Sequence, residues 1–483
     1  VERPGCGRQV RFGHVVRRAH FLAGGTTPPA GSHTNHRFSS FAGLCRRAAA
    51  IQGYGIFMLG TVSSISSLLA GVAILLTGMG LMGTMLAVRA SVEQFSDGVT
   101  GIVMAAYFVG FSVGAYICPP IIRRVGHIRA FAAMASIAST TAIVHAMVVD
   151  PYIWAVLRLI TGACLLGLYM VIESWLNTLS SSETRGRLFA FYMMVTLVAL
   201  GLGQFLILLG DVSTFINFGV VSVLLSLSLV PIAMTRVREP APVEAPKLSL
   251  KLLKRRSPLG MAGAFTAGIT TGAFWGVGPL FAHRAGLSEA GIAAFMSAVI
   301  FGGALLQWPI GHLSDNHDRR KVLVGVCLAS ALLAIAMLGA LGVSTWLLFL
   351  AAFVYGGFAF TVYGLSVAHV NDQVESGEIL EATKGLLLVH GIGASFGPVM
   401  AGFLMGWLGY QVVLVYAAVV FLLAALYGVH RLAAREPVAT VEEQADYVPM
   451  ARTSQAVLEM DPRVDADEAA PGAVGPAVRS AAS

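Results

Sequence analysis

The stretch LLAGVAILLTGMGLMGTMLAV, Leu68 to Val88, contains no charged residue. A helix of that length rises about 30 Å, the thickness of the hydrocarbon layer of a bilayer. Comparable apolar runs recur along the chain, at 62–88, 98–120, 128–148, 152–178, 187–209, 213–235, 258–282, 290–312, 321–342, 346–369, 384–406 and 409–431. Where lipid is the solvent, backbone groups must be satisfied within each segment, so continuous helices are the expected spanning element. Composition agrees: of 483 residues 56% are hydrophobic and 12% charged, about half the charge that a soluble domain carries. Short turns separate the runs. In VDPY (149–152) an Asp-Pro pair stops one helix and starts the next.

The net charge of +7 reports topology, not nucleic-acid binding, because the basic residues sit in short loops. With the amino terminus inside, the inner loops hold Arg123, Arg124, Arg129, Arg185, Arg187, Arg319, Arg320, Lys321, Lys384, Arg431, Arg435 and seven basic residues between Arg236 and Arg256. The outer loops hold Arg89 and Arg284 alone, so eighteen stand against two. An even number of spans places both termini in the cytoplasm of a bacterial-type inner (plasma) membrane. The five cysteines show no paired spacing, so neither a metal site nor a disulfide framework is expected.

The Pro-rich basic segment 236–257 divides the spans into bundles at 58–235 and 258–432. A shift of 192 positions brings Ser96 onto Ser288, Asp97 onto Glu289, Met104 onto Met296, Gly110 onto Gly302 and Trp154 onto Trp346. With a slightly larger offset, Thr184–Gly186 falls on Thr383–Gly385. The expected fold is therefore an all-α membrane protein, twelve transmembrane helices in two pseudo-symmetric six-helix bundles. Such duplication builds transporters whose substrate site lies between the halves.

GHLSDNHDRRK, Gly311 to Lys321, resembles the inner-loop signature G-x-L-x-D-x-x-x-R-[RK] of the major facilitator superfamily. Gly311, Asp315, Arg319 and Arg320 match it. The first-half counterpart PPIIRRVGHIR has Arg123 in the place of the Asp and Pro119 in that of the Gly. ESWLN followed by ETRGR, with RRVGHIRAFA, resembles the YcaD-like branch. The resemblance implies a secondary transporter of a small molecule, working by alternating access. A receptor or scaffold that kept the fold without transport is the alternative. Proton coupling is expected; uptake and export, symport and antiport stay open.

The ionisable residues inside apolar runs are the site candidates. Glu173, about 31 Å along its helix from Tyr152, falls near the inner interface. There it serves as an inner-gate acid pairing with Arg123, Arg124 or Arg185, as a snorkelling side chain, or as a proton or substrate carboxylate. Arg158 lies about 9 Å from the outer end and faces a substrate or proton pathway, faces helix-packing partners, or snorkels outward. His390 and His369 titrate in the useful range but equally suit structural hydrogen bonds. Gln204, Gln307, Tyr107, Tyr169, Trp275 and Tyr363 offer neutral polar groups to a cavity or to packing. Gly311, Asp315, Arg319, Arg320, Arg123, Arg124 and Asp372 form the expected inner gate, Asp372 because it falls near Glu173 in the repeat. GASFGPVMAG, Gly393 to Gly402, is read as close helix packing.

No nucleophile–base pair at usable spacing supports catalysis, and no phosphate-binding loop supports ATP-driven pumping. Expected partners are a small-molecule substrate, protons and the lipid bilayer, with no nucleic acid and no cofactor; the chain is expected to be a monomer. Residues 1–57 hold eight Arg, no Met and one acid, Glu2. They read as an Arg-rich targeting or inner-surface segment, or as preceding a translation start at Met58. The acidic tail 433–483 is expected to be largely disordered, with Tyr447–Arg463 able to dock on the inner face.

Overall fold

The computed structural model describes residues 65–180, 184–234, 240, 250–374, 378–433 and the positions 444, 447, 453, 454 and 456. The expectations for residues 1–57, for most of the segment 236–249 and for most of the tail 434–483 lie outside these. The chain divides into two units, Val1–Gly60 and Thr61–Ser483, and the description concerns the second.

Twelve long helices run through the described residues. The first six are α1 (Ile65–Val92), α2 (Asp97–Val125), α3 (His127–Met147), α4 (Pro151–Leu179), α5 (Arg185–Gln204, continued by a 3-10 turn Phe205–Leu209) and α6 (Ile216–Leu227, continued by Leu229–Met234). After a short helix Leu250–Arg256 come α7 (Pro258–Arg284), α8 (Glu289–Leu313), α9 (Arg319–Ala340), α10 (Thr345–Asn371), α11 (Ile379–Leu408) and α12 (Val412–Ala433). The fold is all-α, as the apolar runs predict. Eleven of these helices are long and apolar enough to cross a membrane. The exception is α7, 27 residues long but rich in Gly and Thr. Most of α7 is buried within the protein, and Thr270 returns its hydroxyl to Thr266 O at 2.9 Å. A helix surrounded by other helices needs no apolar coat. By contrast, α9 exposes Leu328, Leu332 and Ile335, and α12 exposes Leu422, Leu423 and Leu426, a surface suited to lipid and not to water.

Local chemistry sets the helix ends. Asp150 Oδ1 accepts from the N–H groups of Tyr152 and Ile153 at 2.9 and 3.0 Å, and Pro151 occupies the first turn. Ser96 caps α2 by accepting from Val99 N at 3.3 Å; Ser288 caps α8 by accepting from Gly291 N at 3.2 Å. These two caps are related by the 192-residue shift.

The repeat extends to the packing. A Cβ on Gly110 of α2 would stand 1.9 Å from Leu159 O of α4, and one on Gly162 of α4 would stand 2.0 Å from Tyr107 O of α2. In the second half, Gly302 of α8 would meet Phe353 O of α10 at 1.7 Å, and Gly356 of α10 would meet Val299 O of α8 at 2.0 Å. Each half thus brings its second and fourth helices together backbone to backbone, where only glycine fits. The tryptophan match does not carry through: Trp154 is fully buried, whereas Trp346 is 82% exposed.

One end of the bundle carries Arg123, Arg124, Arg185 and Arg319 and is called here the basic end; the other is the far end. Near the far end the two halves touch. Arg284 at the end of α7 donates to Asp97 at the start of α2 at 2.9 Å, and Ser297 of α8 donates to Gly201 O of α5 at 2.8 Å. The Gly393–Gly402 stretch packs on both sides, with Gly397 against Ile269 of α7 and Gly402 against Asp97 of α2.

Candidate substrate cavity and basic-end network

Between the halves lies a cavity of about 260 Å³. The first half contributes Tyr107 and Phe111 from α2, Arg158 and Tyr169 from α4, and Thr196 from α5; the second contributes Trp275, Gln307, Phe360, Lys384 and His390. The wall is mainly apolar and aromatic with a few convergent polar groups, the usual make-up of a small-molecule site.

Arg158, 4% exposed, lies over the Tyr107 ring with its guanidinium carbon 4.5 Å from the centroid. Its Nε and Nη1 are buried without a hydrogen-bond acceptor, and no carboxylate among the described residues pairs with it. The Tyr107 face supplies part of the compensation a buried cation needs. His390 lies near Thr271, Nε2 to Oγ1 3.3 Å, with its ring 5.0 Å from that of Tyr363. Of the expected pathway residues, Arg158, Tyr107, Gln307 and His390 share this cavity. Gln204 does not line it. That amide is fully buried between α1 and α5, accepting from Thr84 Oγ1 and donating to Leu200 O at 3.0 Å.

Glu173 is also off the cavity wall, fully buried near the basic end of α4. The expected pairing with Arg123, Arg124 or Arg185 is not what the structure has. Its carboxylate accepts from Tyr192 Oη at 2.7 Å and from the hydroxyls of Thr453 and Ser454. Arg123 and Arg124 are exposed on the last turn of α2. The physical reason is access. A carboxylate this deep is reached by compact hydroxyls carried in on another segment, whereas the two guanidinium groups point to the surface.

The signature loop forms a second buried network. Arg319, 1% exposed, donates from Nη1 to both Asp372 oxygens at 2.9 and 2.8 Å and to Ala368 O at 3.2 Å, and from Nη2 to Asp315 at 3.0 Å. Asp315 also accepts from the backbone N–H of Tyr447 at 2.8 Å and meets His312 Nδ1 at 3.0 Å. Two carboxylates thus share one guanidinium, and the added N–H groups meet the remaining lone pairs. Arg320 pairs with Asp318, the α9 cap, at 3.0 Å. Burial pushes Asp318 up, but the hydrogen bonds from Arg320 outweigh it and hold its carboxyl below the ordinary range. Gly311 serves neither network by charge. The Tyr447 ring occupies the space a Cβ would need, 2.1 Å from that position, and also lies over Gly364 of α10.

Tyr447, Thr453 and Ser454 belong to the tail, which thereby touches both halves: Tyr447 on the second, Thr453 and Ser454 on the first. Thr453 reaches the cavity wall. The expectation that Tyr447–Arg463 is able to dock on the inner face does not specify these contacts, and Lys384 enters the sequence analysis only as a marker of topology. The pairing of TRG with TKG already set Lys384 opposite Arg185 at the start of a helix. Nothing local showed that it would line the cavity. Among the described residues no cluster of His, Cys, Asp and Glu could hold a metal, and the described cysteines Cys118, Cys164 and Cys327 are buried and free.

The family model described as Major Facilitator Superfamily matches this chain twice, over residues 68–306 and 260–462. The chain belongs to the Major Facilitator Superfamily. The overlapping matches fit the internal duplication of a superfamily transporter. The uncharacterized MFS-type transporter YcaD of Escherichia coli O17:K52:H18 is 29% identical over 340 residues, 70% of this chain and 88% of the relative. YcaD of Shigella flexneri is 28% identical over the same shares. Among solved structures, the nucleoside transporter NupG is similar with a TM-score of 0.64 at 16% identity, covering 76% of this chain and 99% of NupG. A bacterial homolog of the human lysosomal transporter Spinster, inward-facing and occupied, gives 0.63 at 16% identity, covering 79% and 98%. These two likenesses show a shared fold.

Proposed function

We propose that this chain is a secondary active transporter that moves a small molecule across the membrane by alternating access, coupled to protons. The observation that carries the reading is the cavity between two repeated halves, walled by side chains of both. A site shared in this way changes sides when one half rocks against the other. Contacts at the far end, Asp97 with Arg284 and Ser297 with Gly201, fit a state closed on that side. His390 on the wall and Glu173 beneath the tail are the candidate proton carriers. We read the basic end as cytoplasmic, both termini as lying on that side of a bacterial-type inner membrane, and the working unit as a monomer.

The test is flux into proteoliposomes with and without an imposed pH gradient. Uptake that follows the gradient and collapses with a protonophore supports the reading. Saturable binding with no flux under either condition would assign the fold to a receptor or scaffold instead.

A further inference from the structure

The charges around the cavity are one-sided. Two cations, Arg158 and Lys384, face it, and no Asp or Glu among the described residues does. Neither cation has a carboxylate partner in the described structure. Arg158 is 96% buried by its 4% exposure, and two of its nitrogens lack any acceptor. A guanidinium presents five N–H donors in a fixed fork and stays protonated, so a buried unmatched one on a cavity wall calls for an acceptor. The face of Tyr107 offers no lone pair in the guanidinium plane and leaves those donors unmet.

Position divides the work between the two cations. Arg158 is the eighth residue of α4, about 10 Å from the far end, where the halves are in contact. Lys384 is the sixth residue of α11, about 8 Å from the basic end. One carboxylate does not reach both. The same wall carries the aromatic rings of Tyr107, Trp275 and Phe360.

We propose that the ligand of this cavity is an amphipathic organic anion, its acid group held by Arg158 and its ring or alicyclic body lying among Tyr107, Trp275 and Phe360. Lys384 stands nearer the basic end and draws anions in, acting on the rate of association and not on that of dissociation. A neutral ligand would leave the Arg158 donors without a charged acceptor, and a cation would meet two like charges. The inference deepens the transporter reading by naming the class of its substrate, and rests on that reading only for the word substrate; the binding claim is separate.

The experiment uses the purified full chain in detergent and three families of probe: 1-naphthoate and 4-phenylbutyrate, their amides, and the corresponding amines. Binding is read by thermal shift and tryptophan fluorescence. The carboxylates are expected to bind saturably, the amides at least tenfold more weakly, and the amines not at all. Arg158→Gln should bring carboxylate and amide to within about twofold of each other. Arg158→Lys, which keeps the charge, retains a preference for the carboxylate if Arg158→Gln does not fold. Lys384→Gln should slow association several-fold, flatten its salt dependence and weaken affinity by the same factor, with the dissociation rate unchanged. Equal binding of acid and amide by the unsubstituted chain overturns the proposal, as does the absence of any carboxylate binding or an undiminished preference in Arg158→Gln. A carboxylate that binds but never crosses proteoliposomes defeats the transport reading and leaves the ligand class standing. Flux of amides or amines with no preference for acids does the reverse.

Discussion

Arg319 Nη1 lies 2.9 and 2.8 Å from the two carboxylate oxygens of Asp372, with the arginine side chain 1% exposed. Breaking a buried pair strands the remaining charge, at a cost of about 3–5 kcal/mol. Asp372→Asn and Arg319→Gln should each lower the thermal midpoint in detergent strongly. The double variant should lose less than the sum, because position 372 then carries no charge to be stranded, although Asp315 still lacks its guanidinium. Additive losses would show that the two residues act separately.

The close approach of α2 to α4 and of α8 to α10 leaves no room for a methyl group. Gly110→Ala and Gly302→Ala each place a Cβ within 2 Å of a backbone carbonyl oxygen, and overpacking against backbone costs about 1–3 kcal/mol or more. Both should sharply reduce the yield of monodisperse protein. Gly339→Ala is the control: its Cβ meets nothing within 4 Å, and helix propensity favours Ala by up to about 1 kcal/mol. Size-exclusion profiles and thermal midpoints compare the three.

Tyr107 holds Arg158 by its ring, since the guanidinium lies over the face. Tyr107→Phe should therefore keep stability, whereas Tyr107→Leu should lose about 0.5–2 kcal/mol. A chemical denaturation series on the two variants checks this. Equal losses would assign the role to the hydroxyl instead.

Glu173 and the tail hydroxyls should be energetically coupled. Thr453→Val with Ser454→Ala removes two donors, Glu173→Gln weakens the acceptor, and each change alone leaves buried polar groups unmet. Hydrogen bonds to a charged group contribute about 1.5–3 kcal/mol each. The combined variant is expected to be at least about 1 kcal/mol more stable than additivity predicts. Thermal midpoints of the four members of the cycle give the coupling directly.

Much of this architecture is readable in the residue order because the governing physics is local. Apolar run length gives the spans, Asp150-Pro151 gives a turn, and Ser96 with Ser288 gives the matching caps of α2 and α8. The superfamily signature around Asp315 and Arg319 is a contiguous motif, and its internal ion pair is four residues apart. What escaped sequence reading depends on distant partners. Glu173 invites pairing with the loop arginines by charge, but its partners are hydroxyls 19, 280 and 281 residues away. Gln204 is polar on an apolar helix, and nothing in its neighbourhood reveals that Thr84, 120 residues away, uses its carbonyl oxygen. α7 is marginal by apolarity because its surroundings are protein, a fact visible only once the other helices are placed.

The tail ties one half to the other at the basic end. Tyr447 is seated on α8 and α10, and Thr453 on the acid of α4. The six peptide steps between them reach at most about 20–22 Å when fully drawn out. That leash caps how widely the basic end can gape while both anchors hold. Any separation of the two halves beyond that span has to release Tyr447 from α8 and α10 or Thr453 from Glu173.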